Sequence, residues 1–262
     1  TAERGTATQD IPPAGTGRTS HYQSRSSRGR APAQSLHPIL PRLTPTPTAT
    51  GSSCSKGHAA NAPYTAFAAA GLLGAAELDT FVQPDSRLNG HPARTKVPGV
   101  EAGTGPLRRG LPIAVGDALA AKIDGSPRRV FVLTGDGELQ EGSNWEALMA
   151  AAQFKLDNLI VVADRNHLQQ GATTEDTNDL SPLDGKARAF GAHVVDVDAH
   201  DHGALLDAFG AAPVEPGRPT FIVAHSHKGH PISFMSDSVP WHHKLPDEAQ
   251  TARALTELEA LK

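Results

Sequence analysis

Four short aliphatic runs mark the chain after residue 54, and each predicts a buried β-strand. They lie at residues 130–134, 159–163, 193–197 and 220–224. The runs are apolar rather than alternating with polar residues, which is the pattern of strands covered on both faces. Segments with helical spacing separate them. This alternation predicts an α/β fold with a parallel sheet flanked by helices on both faces.

The predicted helices are rich in alanine, a strong helix former. They cover residues 57–73, 113–123, 143–155, 187–190, 202–209 and 247–261. Gly125 follows the second helix as a typical stop. Ser143 or Asn144 is the expected N-cap of the third, because a short polar side chain can accept hydrogen bonds from free backbone amides. Residues 74–110, with frequent Gly and Pro, are expected to be mostly loop.

Residues 1–54 have a different composition from the rest of the chain. They contain 7 Pro, 9 Thr and 7 Ser, with 6 Arg, no Lys and 2 acids. Their formal charge is therefore 6 − 2 = +4, which leaves −8 for residues 55–262 of a chain whose net charge is −4. Large apolar residues are too few to offset the entropy of ordering. We expect residues 1–54 to be disordered and residues 55–262 to form one globular domain.

Bulk properties exclude several classes of protein. No run of 18 apolar residues exists, which argues against a membrane span, and the N-terminus lacks the apolar core of a secretion signal. The single cysteine, Cys54, cannot form an internal disulfide, which fits a reducing cytoplasm. The mild negative charge disfavours a nucleic-acid binder.

Polar residues follow two of the predicted strands and indicate a metal site. Asp136 comes after the strand at 130–134, and Asn166 comes after the strand at 159–163. Ligands of open parallel sheets bind beyond the carboxyl ends of the strands. Carboxylate, amide and carbonyl oxygens suit Mg²⁺, which also binds substrate phosphate. The alternative interpretation of "GDG" as an ordinary turn is weakened by the second strand and the helix between.

At this point the sequence resembles a known family. "GDGELQEG", followed by "WEALMAAAQFKLDNLIVVADRN", is similar to the thiamine diphosphate motif of transketolases. The resemblance extends in order and spacing over residues 55–262. Its further motifs are "SKGHAA" (55–60), "GHP" (90–92), "VPGVEAGTGPL" (97–107), "VDVDAHD" (195–201) and "WHHKLP" (241–246). The resemblance implies the diphosphate-binding domain of this fold, with thiamine diphosphate and Mg²⁺ as cofactors.

The resemblance also implies roles for single residues. Asp136, Asn166 and the carbonyl of Leu168 are the implied Mg²⁺ ligands. The implied diphosphate-cradling residues are Gly135 and Gly137, together with Asp136 and Asn166.

Three histidines, His58, His91 and His242, resemble family histidines near cofactor and substrate, and His58 is implied in cofactor binding as well. The other histidines have no assigned role, since histidine is common at surfaces.

A loop and an acid complete the implied site. Gly105, Pro106 and Leu107 match a loop against the aminopyrimidine ring of the cofactor. Glu141 resembles an acid at the subunit interface.

The implied activity is a transketolase-type transfer of a two-carbon ketol unit from a ketose donor to an aldose acceptor, both sugar phosphates. The family glutamate that protonates the aminopyrimidine belongs to the other half of the enzyme. We therefore expect a subunit that is inactive without a C-terminal, pyrimidine-binding partner subunit. The expected assembly is a heterotetramer, a dimer of heterodimers, in the cytoplasm, with a role in pentose phosphate metabolism.

Two departures from the family pattern leave alternatives open. Arg108 and Arg109 replace a glycine and a glutamine, so Arg108 either strains the loop or points to solvent. His243 replaces another glycine. The family's histidine loop is missing from residues 1–54, and "PTATGSSC" at 47–54 can be recoded in a shifted frame as "DRDRFVL", which resembles family sequence. This segment is therefore either a frameshift or a true extension.

Other functions remain as alternatives. One is a related thiamine diphosphate activity, such as a synthase or dehydrogenase subunit. Another is a degenerate, non-catalytic subunit, consistent with the departures above.

Overall fold

A computed structural model describes residues 51–261 of the chain. It contains one sheet of five parallel strands in the order β1-β2-β3-β5-β4. The strands are β1 (Gly51–Cys54), β2 (Val130–Gly135), β3 (Leu159–Arg165), β4 (His193–Asp198) and β5 (Thr220–His225). The predicted parallel sheet and its four predicted strands are confirmed.

Strand β1 was not predicted. Gly51–Cys54 lies within the segment that we assigned to disorder, yet it pairs with β2 from Gly51 opposite Val130 to Cys54 opposite Leu133. An edge strand can be held by ladder hydrogen bonds without an apolar pattern, so composition did not reveal it. The expectations for residues 1–50 lie outside the described residues.

The helices fall near the predicted positions. They are α1 (Asn61–Ala69), α2 (Gly110–Ile123), α3 (Gly142–Gln153), α4 (Thr174–Asn178), α5 (Leu183–Ala189), α6 (His202–Ala211) and α7 (Glu248–Glu259). Short 3₁₀ turns occur at Gly57–Ala59, Ala75–Thr80, Gly137–Gln140 and Val239–His242. No helix within residues 51–261 has the length and apolar character needed to cross a bilayer.

The expected N-cap of α3 was wrong. Glu141 occupies that position, and its side chain makes no capping hydrogen bond. The side chain of Asn144 instead donates to the carbonyl of Glu138 at 2.7 Å. Asn144 is 2% exposed, so its amide is committed to the turn after β2 rather than to the helix end.

Alternate residues of the strands enter two cores on opposite faces of the sheet, as expected for period-2 side chains. On one face, Val132, Val161 and Phe221 pack with residues of α2, α3 and α5. On the other face, Ile160 and Ile222 pack with residues of α6. The sheet is therefore covered by helices on both sides, as predicted.

A smaller third cluster lies outside the sheet. It joins α1 to the long loop that follows, through Tyr64, Phe67, Leu88 and Val97. The Tyr64 hydroxyl donates to the carbonyl of Asn89 at 3.1 Å. This packing fixes the loop that carries His91.

Candidate functional site

The carboxyl ends of β1, β2, β3 and β5 meet at one edge of the sheet because the strands are parallel. Polar residues follow each of them: Lys56 after β1, Asp136 after β2, Asn166 after β3 and Lys228 beyond β5. This edge therefore holds the residues that the sequence singled out, together with two lysines that it did not.

The Asp136 carboxylate is buried, with 1% of the residue exposed. It accepts hydrogen bonds from the backbone N–H of Gly137 at 2.8 Å and of His167 at 2.6 Å. The buried Arg165 lies 3.5 Å from it. Burial raises the pKa of Asp136, while the two backbone hydrogen bonds favour the ionised form. The contact with His167 places Asp136 against the turn that carries Asn166.

The turn after β3 holds the two other predicted metal ligands. Asn166 is 5% exposed, and its amide oxygen accepts from the Leu168 N–H at 3.0 Å. Leu168 is 8% exposed and bridges to Thr173. The Thr174 N–H donates to the His167 carbonyl at 2.9 Å, which closes the turn. A carboxylate and an amide oxygen thus lie at neighbouring strand ends, and this oxygen donor chemistry fits Mg²⁺.

Within residues 51–261 there is no group of three or more His, Cys, Asp and Glu side chains that could hold a metal ion. A cation at this edge would therefore depend on amide and carbonyl oxygens beside Asp136.

Two glycines allow close packing around this edge. A Cβ on Gly137 would lie 2.9 Å from the Gln169 amide oxygen, so the turn after β2 sits tightly on the turn after β3. A Cβ on Gly57 would lie 2.0 Å from the Thr104 carbonyl oxygen, a contact that only glycine permits. The segment with His58 is thereby pressed against the loop that leads to Gly105. At Gly135, by contrast, an added Cβ would make only ordinary contact, 3.7 Å from the Lys56 stem.

Lys56, Asp164 and Ser226 form a connected group that sequence reasoning missed. The Lys56 ammonium pairs with the Asp164 carboxylate, which also accepts from the Ser226 hydroxyl. Burial opposes the charge on Asp164, but Lys56 and the hydrogen bonds lower its pKa below the ordinary value. The pKa of Lys56 is raised by Asp164 against the effect of burial. Three strand ends are thereby tied together by β3.

Several basic groups crowd one space beside this pair. Burial, and then Lys56, lower the pKa of Lys228. The pKa of His242 falls to about 4, because of burial and then of the positive charges of Lys228 and neighbouring histidines. The buried Nδ1 of His242 has no hydrogen-bond partner among the described residues. Positive groups that lower one another's pKa values indicate a place for an anion.

The three predicted histidines share this neighbourhood. The rings of His58 and His91 are 5.1 Å apart in an edge arrangement. Burial, then His91 and His243, lower the pKa of His58. His242 and His243 have ring centroids 4.7 Å apart. His243, which the sequence analysis left without a role, is thus the fourth member of one imidazole cluster.

The loop at Gly105, Pro106 and Leu107 lies beside this cluster. A Cβ on Gly105 would be 3.5 Å from the His91 side chain, so the loop and His91 are in contact distance. The structure thus brings the predicted ring-binding loop to the predicted histidines.

Arg108 meets both of the expected alternatives. Its φ is +73°, the left-handed region that favours glycine, so its backbone is strained. Its side chain is 60% exposed and binds Glu141, with Nη1 3.1 Å from Oε2. The Glu141 side chain is itself 37% exposed and lies at the protein surface. Arg108 therefore strains the loop without filling it.

Comparison with known proteins identifies relatives across this domain. The family described as "Transketolase, thiamine diphosphate binding domain" matches residues 53–248. One of the two subunits named for the apulose-4-phosphate transketolase of Actinobacillus succinogenes is 47% identical over 206 residues, which are 78% of this chain and 74% of that protein. The 6-deoxy-6-sulfo-D-fructose transketolase subunit SqwG of Clostridium sp. (strain MSTE9) is 37% identical, over 78% of this chain and 74% of that protein.

Larger relatives match over a part of their length. Human transketolase is 40% identical over 72% of this chain and 30% of its own. The crystal structure of Campylobacter jejuni transketolase superposes with a TM-score of 0.76 and 27% identity, covering 87% of this chain and 37% of that one. The chain therefore spans about a third of these single-chain enzymes and about three quarters of the subunits.

Proposed function

The chain belongs to the transketolase family through its thiamine diphosphate-binding domain, and from this premise we propose that it is one subunit of a two-chain transketolase. The reaction is the transfer of a two-carbon ketol unit from a ketose donor to an aldose acceptor. Relatives of similar length that carry the name of a subunit support a second, pyrimidine-binding chain as partner. The proposed assembly is a dimer of heterodimers.

The residues at the sheet edge fit the two cofactors. Asp136, Asn166 and the carbonyl of Leu168 would hold Mg²⁺, and Gly135 and Gly137 would lie against the diphosphate. Bound thiamine diphosphate supplies the nucleophilic carbon and the electron sink of the reaction.

The observation that carries the proposal is the basic cluster without its counter-charge. Lys228 and His242 both have lowered pKa values and lie within electrostatic range of Lys56. A diphosphate would supply the missing negative charge directly beside the oxygen ligands of Asp136 and Asn166. A cation site and an anion site adjoining one another suit a metal diphosphate.

The histidines would act on substrate and protons. His242 is neutral at pH 7, since its pKa is about 4, so its ring can accept a hydrogen bond or a proton. His58 and His91 would orient substrate hydroxyls and the cofactor ring, with Gly105, Pro106 and Leu107 against that ring. Glu141, at the surface beside Arg108, would contact another subunit.

The sugar substrates follow from the relatives only as a class. One relative is named for apulose 4-phosphate and another for 6-deoxy-6-sulfo-D-fructose, both sugars with an anionic terminus. We propose an anionic ketose donor for this chain. A related thiamine diphosphate activity would be distinguished by product analysis with different acceptors.

Thermal unfolding tests the cofactor assignment. The full chain with its partner subunit should unfold several degrees higher with thiamine diphosphate and Mg²⁺. Thiamine without its diphosphate serves as the matched control and should give no shift, because the basic cluster then has no anion to bind. Equal unfolding temperatures with and without thiamine diphosphate would support a degenerate subunit instead.

A further inference from the structure

Glu138 is a buried acid in the turn after β2, and the function proposed above assigns it no role. The residue is 4% exposed. Its Oε1 accepts from the backbone N–H of Arg108 at 3.1 Å and from the hydroxyl of Ser55. Its Oε2 accepts from the backbone N–H of Gly135 at 3.2 Å. One carboxylate therefore binds three donors.

The three donors come from three parts of the chain that line the candidate site. Ser55 starts the segment with Lys56 and His58. Arg108 ends the loop at 105–107, and Gly135 precedes Asp136. Apart from Glu138 itself, each donor is thus adjacent to residues that would touch the cofactor.

Further hydrogen bonds fix this centre from both sides. The Ser55 hydroxyl accepts from the N–H of Gly110, the first residue of α2, at 3.2 Å. The buried Asn144 of α3 donates to the Glu138 carbonyl at 2.7 Å. Glu138 is therefore anchored by α3 and reaches α2 through Ser55.

We infer that Glu138 is a positioning residue that holds these three segments in register for cofactor binding. The inference rests on the proposed function, since the value of the register lies in the site that it forms. Glu138 lies behind the three segments, and it acts through their backbone.

The physical basis is the cost of unpaired groups and of strain. Removal of the carboxylate would leave two backbone N–H groups without their acceptor in a buried place. It would also release Arg108, whose φ of +73° persists only where surrounding contacts enforce it. The loop at 105–107 would then move away from the site.

Two substitutions grade this loss. Glu138→Gln keeps one acceptor oxygen but places an amide N–H near a backbone donor. Glu138→Ala removes both acceptors. We expect the Kd for thiamine diphosphate with Mg²⁺ to rise about 5-fold in the first and about 30-fold in the second, from the range for unpaired buried groups.

A matched control lies at the other end of the sheet. Glu215 accepts from His193 at 3.1 Å and from Arg218 at 2.9 Å. Glu215→Gln removes the same charge far from the site and should leave the Kd within about twofold. Calorimetric titration of the full chain with its partner subunit measures all three.

Arg108→Gly separates positioning from general destabilisation. Glycine adopts positive φ without strain, so the loop can hold its shape with less help from Glu138. The Kd of the double variant Arg108→Gly/Glu138→Gln should lie at least about threefold below the additive expectation. If Glu138→Ala does not fold, this coupling in the Gln background decides.

The outcomes are distinct. Wild-type Kd values in Glu138→Gln and Glu138→Ala, or additive effects with Arg108→Gly, overturn the inference while the proposed function stands. A wild-type complex that binds no thiamine diphosphate overturns the proposed function itself.

Discussion

Polar side chains at the amino ends of the strands bind backbone groups, whereas those at the carboxyl ends bind one another. At the amino end, Arg129 donates to the carbonyls of Phe209 and Ala212 at 3.1 and 2.8 Å. At the carboxyl end, Lys56 pairs with Asp164.

The electrostatics of the two ends differ in the same way. At the carboxyl end, burial raises the pKa of Asp136 and lowers those of Lys228 and His242. Each of these shifts disfavours the charged form, so the groups are held in an environment that costs stability. We infer that the amino end stabilises the fold and that the carboxyl end is organised for ligands.

The largest expected effect contrasts one residue from each end. Asp136→Asn should lower transketolase activity by at least ~100-fold, because it removes the charged ligand of the proposed Mg²⁺ site. Its cofactor-free stability should change by less than about 1 kcal/mol, since the amide oxygen can still accept the backbone hydrogen bonds. Activity and denaturant unfolding measure the two effects.

Arg129→Met should show the reverse. It removes two hydrogen bonds to carbonyls and should cost about 1–2 kcal/mol of stability. The Kd for thiamine diphosphate should stay at the wild-type value. The comparison between the two ends fails if Asp136→Asn destabilises more than Arg129→Met.

A smaller effect concerns protons. The folded pKa of His242 is about 4, below its ordinary value, so the unfolded chain binds more protons between these pH values. This part of the stability is present near pH 7 and is lost as the pH falls toward 4. His242→Gln should therefore flatten the stability profile between about pH 6.5 and 4.

The same histidine should report the anion. A bound diphosphate favours His242 in its charged form, so binding near pH 5.5 should take up protons. Calorimetry in buffers of different ionisation enthalpy measures the uptake. His193→Gln, at the amino end, is the control and should keep the wild-type uptake; equal loss in both variants would contradict the assignment.

The smallest effect is at Arg108. Arg108→Gly should raise the stability by about 0.5–1 kcal/mol, because glycine accepts the left-handed backbone without a steric cost. The exposed ion pair with Glu141 offsets only a little of this gain. Arg109 has φ −83° at the start of α2, so Arg109→Gly should instead be neutral or destabilising. Thermal unfolding of both variants measures the difference.

The sequence predicted the sheet where burial is strongest. Residues such as Val132, Val161 and Phe221 lie in aliphatic runs because they are covered on both sides, and those runs are visible without a structure. The strand Gly51–Cys54 has no such signal, because it depends on pairing with β2.

The site was predictable in part for a similar reason. Asp136 and Asn166 stand directly after predicted strands, so their shared edge followed from parallel geometry. The Lys56–Asp164–Ser226 group needs the strand order β1-β2-β3-β5-β4, which places Ser226 beside β3. Local sequence carries no information on that order. The φ of Arg108 was open because it depends on the contact with Glu138.

Strand β1 has a single neighbour among the described residues, yet it carries Ser55 and Lys56 at its end. Its outward fraying and the vacating of the site would be one event, since a ligand held by Lys56 can leave only the intact state populated. The amide N–H of Lys56, which binds the Leu133 carbonyl at 3.1 Å, would then exchange with deuterium more slowly in proportion to ligand saturation. The outermost strand would serve as a built-in gauge of occupancy.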